Sequence, residues 1–137
     1  MVNFFFEDIE EFSLEHLNIE FNIDKLVVNE GKTLGEVNYI FCSDSYLLEI
    51  NKQYLNHDYY TDIISFDYCE DNIISGDIFI SIDTVADNAK EYKVSYEKEL
   101  QRVILHGILH FVGYKDKTDD DAKIMRQKEN QYLSLFE

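Results

Sequence analysis

His106 and His110 stand four residues apart in the stretch 95–116. On a helix, at about 100° per residue, that spacing brings the two side chains to within roughly 40° of each other. Two imidazoles so placed can reach one ion. Gly113 offers a helix stop, after which the chain can turn back towards its own histidines. The first good ligand beyond that turn is Asp116. His106, His110 and Asp116 therefore make a candidate three-ligand metal site with an open fourth position, the arrangement of a hydrolytic centre. The bland alternative is a pair of histidines on the polar rim of a core helix. Gly107 lies between them. A glycine inside a helix costs about 1 kcal/mol against alanine, which calls for close packing or a close approach at that turn.

Other residues could serve such a centre. Arg102 lies one turn before His106 on a polar stripe with Glu99 and His110. It can contact an anionic substrate, or pair with Glu99 or the acidic surface, the commoner outcome for such a side chain. Asp62 and Asp77 each sit in a strand beside small polar residues. Either can accept a hydrogen bond that orients a metal-bound imidazole, or can be satisfied by local backbone. His57 falls in a polar loop and reads as solvated; His16 earns no role. The aspartates 119–121 read as a solvated first turn favoured by the helix dipole.

These residues need a scaffold, and hydrophobic periodicity supplies one. In the helix that carries the histidines, Leu100, Val103, Ile104, Ile108 and Phe111 recur at helical spacing. Leu105, Leu109 and Val112 fill much of the opposite side, so that helix should be nearly encased. Strands are expected at 2–6 (aromatic, central or well covered), 36–43, 61–66 and 76–82, the last alternating well enough for a sheet edge. Helices are expected at 22–30, from Ser43 or Asp44 to 54, and from an Asp83 cap to 92. A last helix starts at Thr118 and turns Ala122, Met125, Tyr132, Leu133 and Phe136 inward. Gly31 and Gly35 should bracket a turn. Strands come early and helices late, so the class is α+β, a small mixed four-stranded sheet packed with helices.

The 137 residues make one domain, 1–137, large enough for a proper core. A hydrophobic content of 45% and an aromatic content of 15% argue for a folded globule. The formal net charge of -16 weighs against non-specific nucleic-acid binding. It leaves room for a local basic groove, and for a bound divalent cation that supplies positive charge at the site itself. Apolar runs are too short to span a bilayer, and the N-terminus has no signal-peptide pattern. Cys42 and Cys69 read as reduced cytosolic thiols.

Three motifs, in order, resemble the bacterial YbeY endoribonucleases, the rRNA maturation factors. His106-Gly-Ile-Leu-His110-Phe-Val-Gly113-Tyr114 is similar to the family's His-Gly-x-Leu-His-x-x-Gly-Tyr-Asp-His. Thr61-Asp62-Ile63-Ile64-Ser65-Phe66 is similar to its Thr-Asp-Val-Leu-Ser-Phe strand, and Gly76-Asp77-Ile78 to its Gly-Asp-Ile strand. Asn51-Lys-Gln-Tyr54 matches the end of the helix before them. The resemblance covers roughly residues 36–136. It implies a fold related to zinc peptidases, with one zinc ion at the end of a long central helix. It further implies a metal-dependent hydrolase that cuts single-stranded RNA and matures the 3′ end of 16S rRNA. That work, and a part in ribosome quality control, would take place in the cytoplasm beside the small ribosomal subunit.

Two departures stand out. The family's third ligand is usually histidine, where this chain has Asp116 between Lys115 and Lys117. Aspartate oxygen ligates zinc well but adds a negative charge, which should weaken the metal as a Lewis acid. Leu55 stands where many members have an arginine thought to contact RNA phosphates. The position after His106 is glycine, whereas zinc peptidases place their glutamate base there, so the general base stays unassigned. The alternatives are a metal-dependent peptidase or amidohydrolase on the same scaffold, a non-catalytic ribosome-associated zinc protein, and a globular domain without metal.

Overall fold

Four stretches of alternating or β-branched residues pair into one sheet, and five amphipathic segments pack on it as helices. The computed structural model describes residues 1–55 and 63–136. In chain order the elements are β1 (Val2–Phe6), a 3-10 turn (Glu15–Leu17), α1 (Ile19–Asn29), β2 (Thr33–Cys42) and α2 (Asp44–Leu55). There follow β3 (Ile63–Asp67), β4 (Ile73–Ser81), α3 (Ile82–Tyr92), α4 (Tyr96–Phe111), α5 (Asp119–Leu133) and a closing 3-10 turn (Ser134–Phe136). The strand order is β1-β2-β4-β3. β1, β2 and β4 run parallel, and β3 is antiparallel to β4. This is the expected α+β class with a mixed four-stranded sheet.

The register explains which face is the core. Phe4, Tyr39 and Ile78 stand side by side across three strands, as do Phe6, Phe41 and Ile80. Because side chains alternate, one face of the sheet carries these residues against α1 and α4. The alternate rungs carry Asn3, Asn38 and Asp77, then Phe5, Ile40 and Phe79, on the opposite face. There Cys42, Leu47 and Ile64 form a smaller apolar cluster with side chains of α2.

Two strand placements differ from expectation. β1 is an edge strand, not a central one: Phe4 and Phe6 stack on Tyr39 and Phe41, while Phe5 is 48% exposed. A run of three aromatics mimics two-sided burial although only one side is covered. β4 is central, not an edge. Its alternation survives because Ile74, Ile78 and Ile80 lie in the core while the other face is only partly covered.

Boundaries moved for local reasons. β2 starts at Thr33 and runs through Gly35, with a register shift between Leu34 and Val37. A Cβ at Gly35 would lie 2.4 Å from Ser75 Oγ, so this glycine marks a close strand approach. The turn belongs to Gly31, at φ +80°. β4 begins three residues before Gly76 and α1 three residues before Asn22. Helix α3 is capped by Ser81, whose hydroxyl accepts from the Thr84 amide; Asp83 falls in its first turn. Ser43 caps α2 through the Tyr46 amide at 3.2 Å.

Helix α4 is the axis of the molecule. Ser95 caps it by accepting from the Lys98 amide at 3.1 Å. Leu100, Val103, Ile104, Leu105, Ile108 and Leu109 are 3% exposed or less. Each such side chain contributes about 1.5–3 kcal/mol on burial. Gly107 is where the helix meets the sheet: a Cβ there would lie 2.9 Å from Ile78 Cδ1 and 3.1 Å from Ile63 Cδ1. The Tyr39 hydroxyl donates to the Ile104 carbonyl at 2.9 Å and pins the middle of the helix to β2. Helix α5 closes the other side of α4 with Met125, Glu129 and Tyr132. Ala122, expected inward, is exposed, and the buried stripe instead holds a glutamate. No helix among the described residues is long and apolar enough to cross a membrane.

Candidate metal centre

The site lies at the C-terminal end of α4. The helix stops at Phe111, and Gly113 takes φ +117°, which a side chain would disfavour. The amides of Gly113 and Tyr114 donate back to the carbonyls of His110 and Leu109. The chain is thereby reversed, and Asp116 returns over the two histidines. His106 Nε2 lies 2.9 Å from His110 Nε2. Asp116 Oδ2 is 3.2 Å from His106 Nε2 and 3.5 Å from His110 Nε2. Zinc with bonds of about 2.0–2.1 Å in tetrahedral geometry holds its ligand atoms about 3.3 Å apart. The three atoms match that spacing. Among the described residues they form the one group of three or more His, Cys, Asp or Glu side chains able to hold an ion.

The far sides of the rings decide the protonation. His106 Nδ1 is 2.6 Å from Glu129 Oε2, and His110 Nδ1 is 3.0 Å from the Tyr114 carbonyl oxygen. Both partners are acceptors, so each neutral ring carries its proton on Nδ1. That leaves both Nε2 lone pairs and a carboxylate oxygen converging with no donor among them. Only a cation or an added proton reconciles three acceptors at this range.

Behind His106 lies a buried ionic chain. Glu99 and Glu129 are each 2% exposed at the side chain, and Arg102 between them is 12% exposed. Arg102 Nε and Nη2 donate to the two Glu99 oxygens at 2.8 and 2.5 Å, and Nη1 donates to Glu129 Oε1 at 3.1 Å. Burial pushes the Glu129 carboxyl up, but the bond from His106 and the Arg102 charge outweigh it and hold it below the usual range. Burial also works against the Arg102 charge, and the two carboxylates more than restore it. His110 is shifted down, first by burial and then by the neighbouring His106, which favours its neutral form.

A second network braces the turn. The Tyr114 hydroxyl donates to Glu30 Oε1 at 2.5 Å, and the Tyr132 hydroxyl donates to Glu30 Oε2. Lys128 Nζ lies 3.6 Å from Glu30. Glu30 just after α1, residues of α5 and the loop after α4 thus fix the peptide that orients His110.

The structure brings His106, His110 and Asp116 together. Arg102 sits in its pairing alternative, with its donors on Glu99 and Glu129. Asp77 does not reach the histidines; its Oδ1 accepts from Asn38 Nδ2 at 2.9 Å on the far face of the sheet. Asp62 and His57 lie outside the described residues, as does the segment between Leu55 and Ile63. His16, 61% exposed, pairs with Glu97 on the surface. Cys42 and Cys69 are free thiols, and burial pushes them up to about 12 and about 11. The residue that motif reading missed is Glu129. Its signal was present, since Met125, Glu129 and Tyr132 fall at i, i+4 and i+7 and place a carboxylate on an apolar stripe.

Comparison with known proteins gives a single answer. Over 137 residues the chain is 54% identical to the endoribonuclease YbeY of Flavobacterium johnsoniae, spanning 99% of this chain and 97% of that one. It is 56% identical over 114 residues to the protein of the same name from Flavobacterium psychrophilum, covering 83% and 81%. It is 58% identical over 106 residues to that of Phocaeicola vulgatus, covering 77% of each. The solution structure of TM1509 from Thermotoga maritima superposes with a TM-score of 0.70 at 30% identity, over 98% of this chain and 87% of that one. The profile of the endoribonuclease YbeY family matches residues 5–137. With that match over nearly its whole length, the chain belongs to the endoribonuclease YbeY family.

Proposed function

We propose that this protein is a zinc-dependent, single-strand-specific endoribonuclease. Its substrate is the precursor 3′ end of 16S rRNA on the small ribosomal subunit, in the cytoplasm, and it also serves ribosome quality control there. The observation that carries the reading is the convergence of His106 Nε2, His110 Nε2 and Asp116 Oδ2, with both Nδ1 atoms already committed to acceptors. The relatives named endoribonuclease support the RNA substrate.

His106, His110 and Asp116 would hold the ion. Zinc bound there would supply Lewis acidity towards a phosphodiester oxygen and a water molecule. Glu129 and the Tyr114 carbonyl keep the rings turned inward. Lys115 and Lys117 flank Asp116 and are exposed, so they offer cations to phosphates beside the centre despite the overall acidity. Gly107 bears on the peptidase alternative. A Cβ at Gly107 would meet Ile78 at 2.9 Å and Ile63 at 3.1 Å, so the helix position after the first histidine is closed against the sheet. A general base cannot stand there, as it does in zinc peptidases.

The test is direct. Protein purified without added metal is assayed for zinc by elemental analysis and for cleavage of a single-stranded RNA oligonucleotide. The expected result is stoichiometric zinc and cleavage, both lost in His110→Ala. A His110→Ala protein that keeps its zinc would refute the ligand assignment. In cells lacking the protein, rRNA 3′ ends should be extended and should not be corrected by an Asp116→Ala copy.

A further inference from the structure

We infer that Glu129 is the positioning residue of the metal centre, and that Arg102 is its lock and not a substrate contact. The inference rests on the metal reading above and goes beyond it, since Glu129 ligates nothing. The case begins with a charge count. Arg102 is already matched by Glu99, which takes two of its donors at 2.8 and 2.5 Å. Glu129 is therefore a second carboxylate in a buried cluster that one guanidinium could have neutralised with Glu99 alone. Arg126 reaches Glu129 Oε1 at 3.5 Å, but its side chain is 50% exposed and solvent screens it. The surplus negative charge is directed at a specific atom: Glu129 Oε2 sits 2.6 Å from His106 Nδ1.

That geometry has a chemical consequence. A carboxylate at Nδ1 holds the ring as the Nδ1–H tautomer and presents the Nε2 lone pair to the ion. It also restrains ring rotation and raises the basicity of the ligand. His110 has a weaker counterpart, a neutral carbonyl at 3.0 Å. The two histidines are thus unequal, and His106 is the stronger donor. The arrangement also explains the conformation of Arg102. By fixing Oε1 at 3.1 Å it stops the Glu129 carboxylate from swinging away, and Glu99 in turn fixes Arg102. Both carboxylates of the lock are almost fully buried.

A plain structural ion pair would hold α5 on α4 without changing the metal, so the test reads the metal. Zinc affinity is measured by competition with a chromophoric chelator, on variants shown by circular dichroism to be folded. Glu129→Gln keeps the shape and removes the charge. It should weaken zinc binding about 10–100-fold, the usual loss when the outer partner of a ligating histidine is removed. Asp119→Asn, which removes an exposed acid from the same helix, should stay within twofold. Glu129→Gln within twofold of the wild type would overturn the inference. Should that variant not fold, 15N spectra of the metal-free wild type at pH 8 decide instead. The proton of His106 is expected on Nδ1, and a proton on Nε2 overturns the proposal. A wild type that binds no zinc defeats the proposed function, while the tautomer measurement still judges the role of Glu129.

Discussion

Replacing Arg102 by methionine should be among the most damaging single changes in this protein. Methionine keeps much of the aliphatic stem and removes the guanidinium. Two carboxylates at 2% side-chain exposure then face each other's surroundings without their shared cation. Glu129 retains His106 at 2.6 Å, but among the described residues Arg102 is the hydrogen-bond partner of Glu99. Removing one member of a buried ionic cluster costs about 3–5 kcal/mol. That is a large share of the roughly 5–15 kcal/mol that holds a domain together. It corresponds to a fall in melting temperature on the order of 10–20 °C for a chain of this size. The pH dependence gives the effect its sign. In the wild type the folded-state Glu129 carboxyl lies below 4.5. Its contribution to stability is therefore present above pH 4.5 and is lost as pH falls through the folded value. Without Arg102 part of that contribution goes, since only the His106 bond still favours the Glu129 carboxylate against burial. The variant should be weakest at neutral pH and approach the wild type as pH drops below 4.5. Urea unfolding at pH 7 and at pH 4 measures both curves. A loss under about 1 kcal/mol at pH 7, the size of an exposed pair, would refute the reasoning. So would an equal loss at both pH values.

Asp116→Ala should weaken zinc binding beyond the ~10–100-fold typical for losing an outer partner. Because the side chain is 44% exposed, urea unfolding of the metal-free form should change by less than about 0.5 kcal/mol. Asp116→His should keep zinc in elemental analysis. Gly76→Ala would place a Cβ 2.4 Å from the Phe66 carbonyl oxygen and 2.6 Å from Phe111 Cζ. Backbone in a strand ladder cannot yield cheaply, so thermal melts should show a loss of about 2–3 kcal/mol or more. Tyr114→Phe removes the bond to Glu30 and should cost about 1–2 kcal/mol in chemical unfolding. In chelator competition it should weaken zinc binding less than Glu129→Gln does, because His110 keeps the Tyr114 carbonyl and loses only the brace on that peptide.

The part of the site that could be read from the sequence is the part encoded locally. His106, His110, Gly113 and Asp116 span eleven consecutive positions, and helix geometry plus a glycine stop suffices to converge them. Gly107 announced close packing and delivers it against Ile78 and Ile63. Strand order was a different matter. The edge position of β1 and the central position of β4 depend on parallel pairing across β2. Composition reports how much of a strand is buried, not which neighbour buries it. Glu129 was missed for a related reason, since its partner His106 lies 23 residues away on another helix.

The stripe Glu99, Arg102, His106 and His110 shows what the missing partner changes. Alone, α4 looks like an encased helix with one solvated polar edge. With α5 in place that edge becomes two different environments along one line. Its first half is an ionic lock with carboxylates 2% exposed; its second half opens to a ligand cluster whose histidines are 15% and 27% exposed. His106 belongs to both, with Nδ1 in the lock and Nε2 in the cluster. A carboxylate on the buried stripe of α5 is costly unless it has work that an apolar residue could not do. Met125 and Tyr132, one turn to either side, already hold the helices together. Holding the ring it touches in one tautomer would account for the cost at Glu129, and a histidine on a mere polar rim has no such requirement.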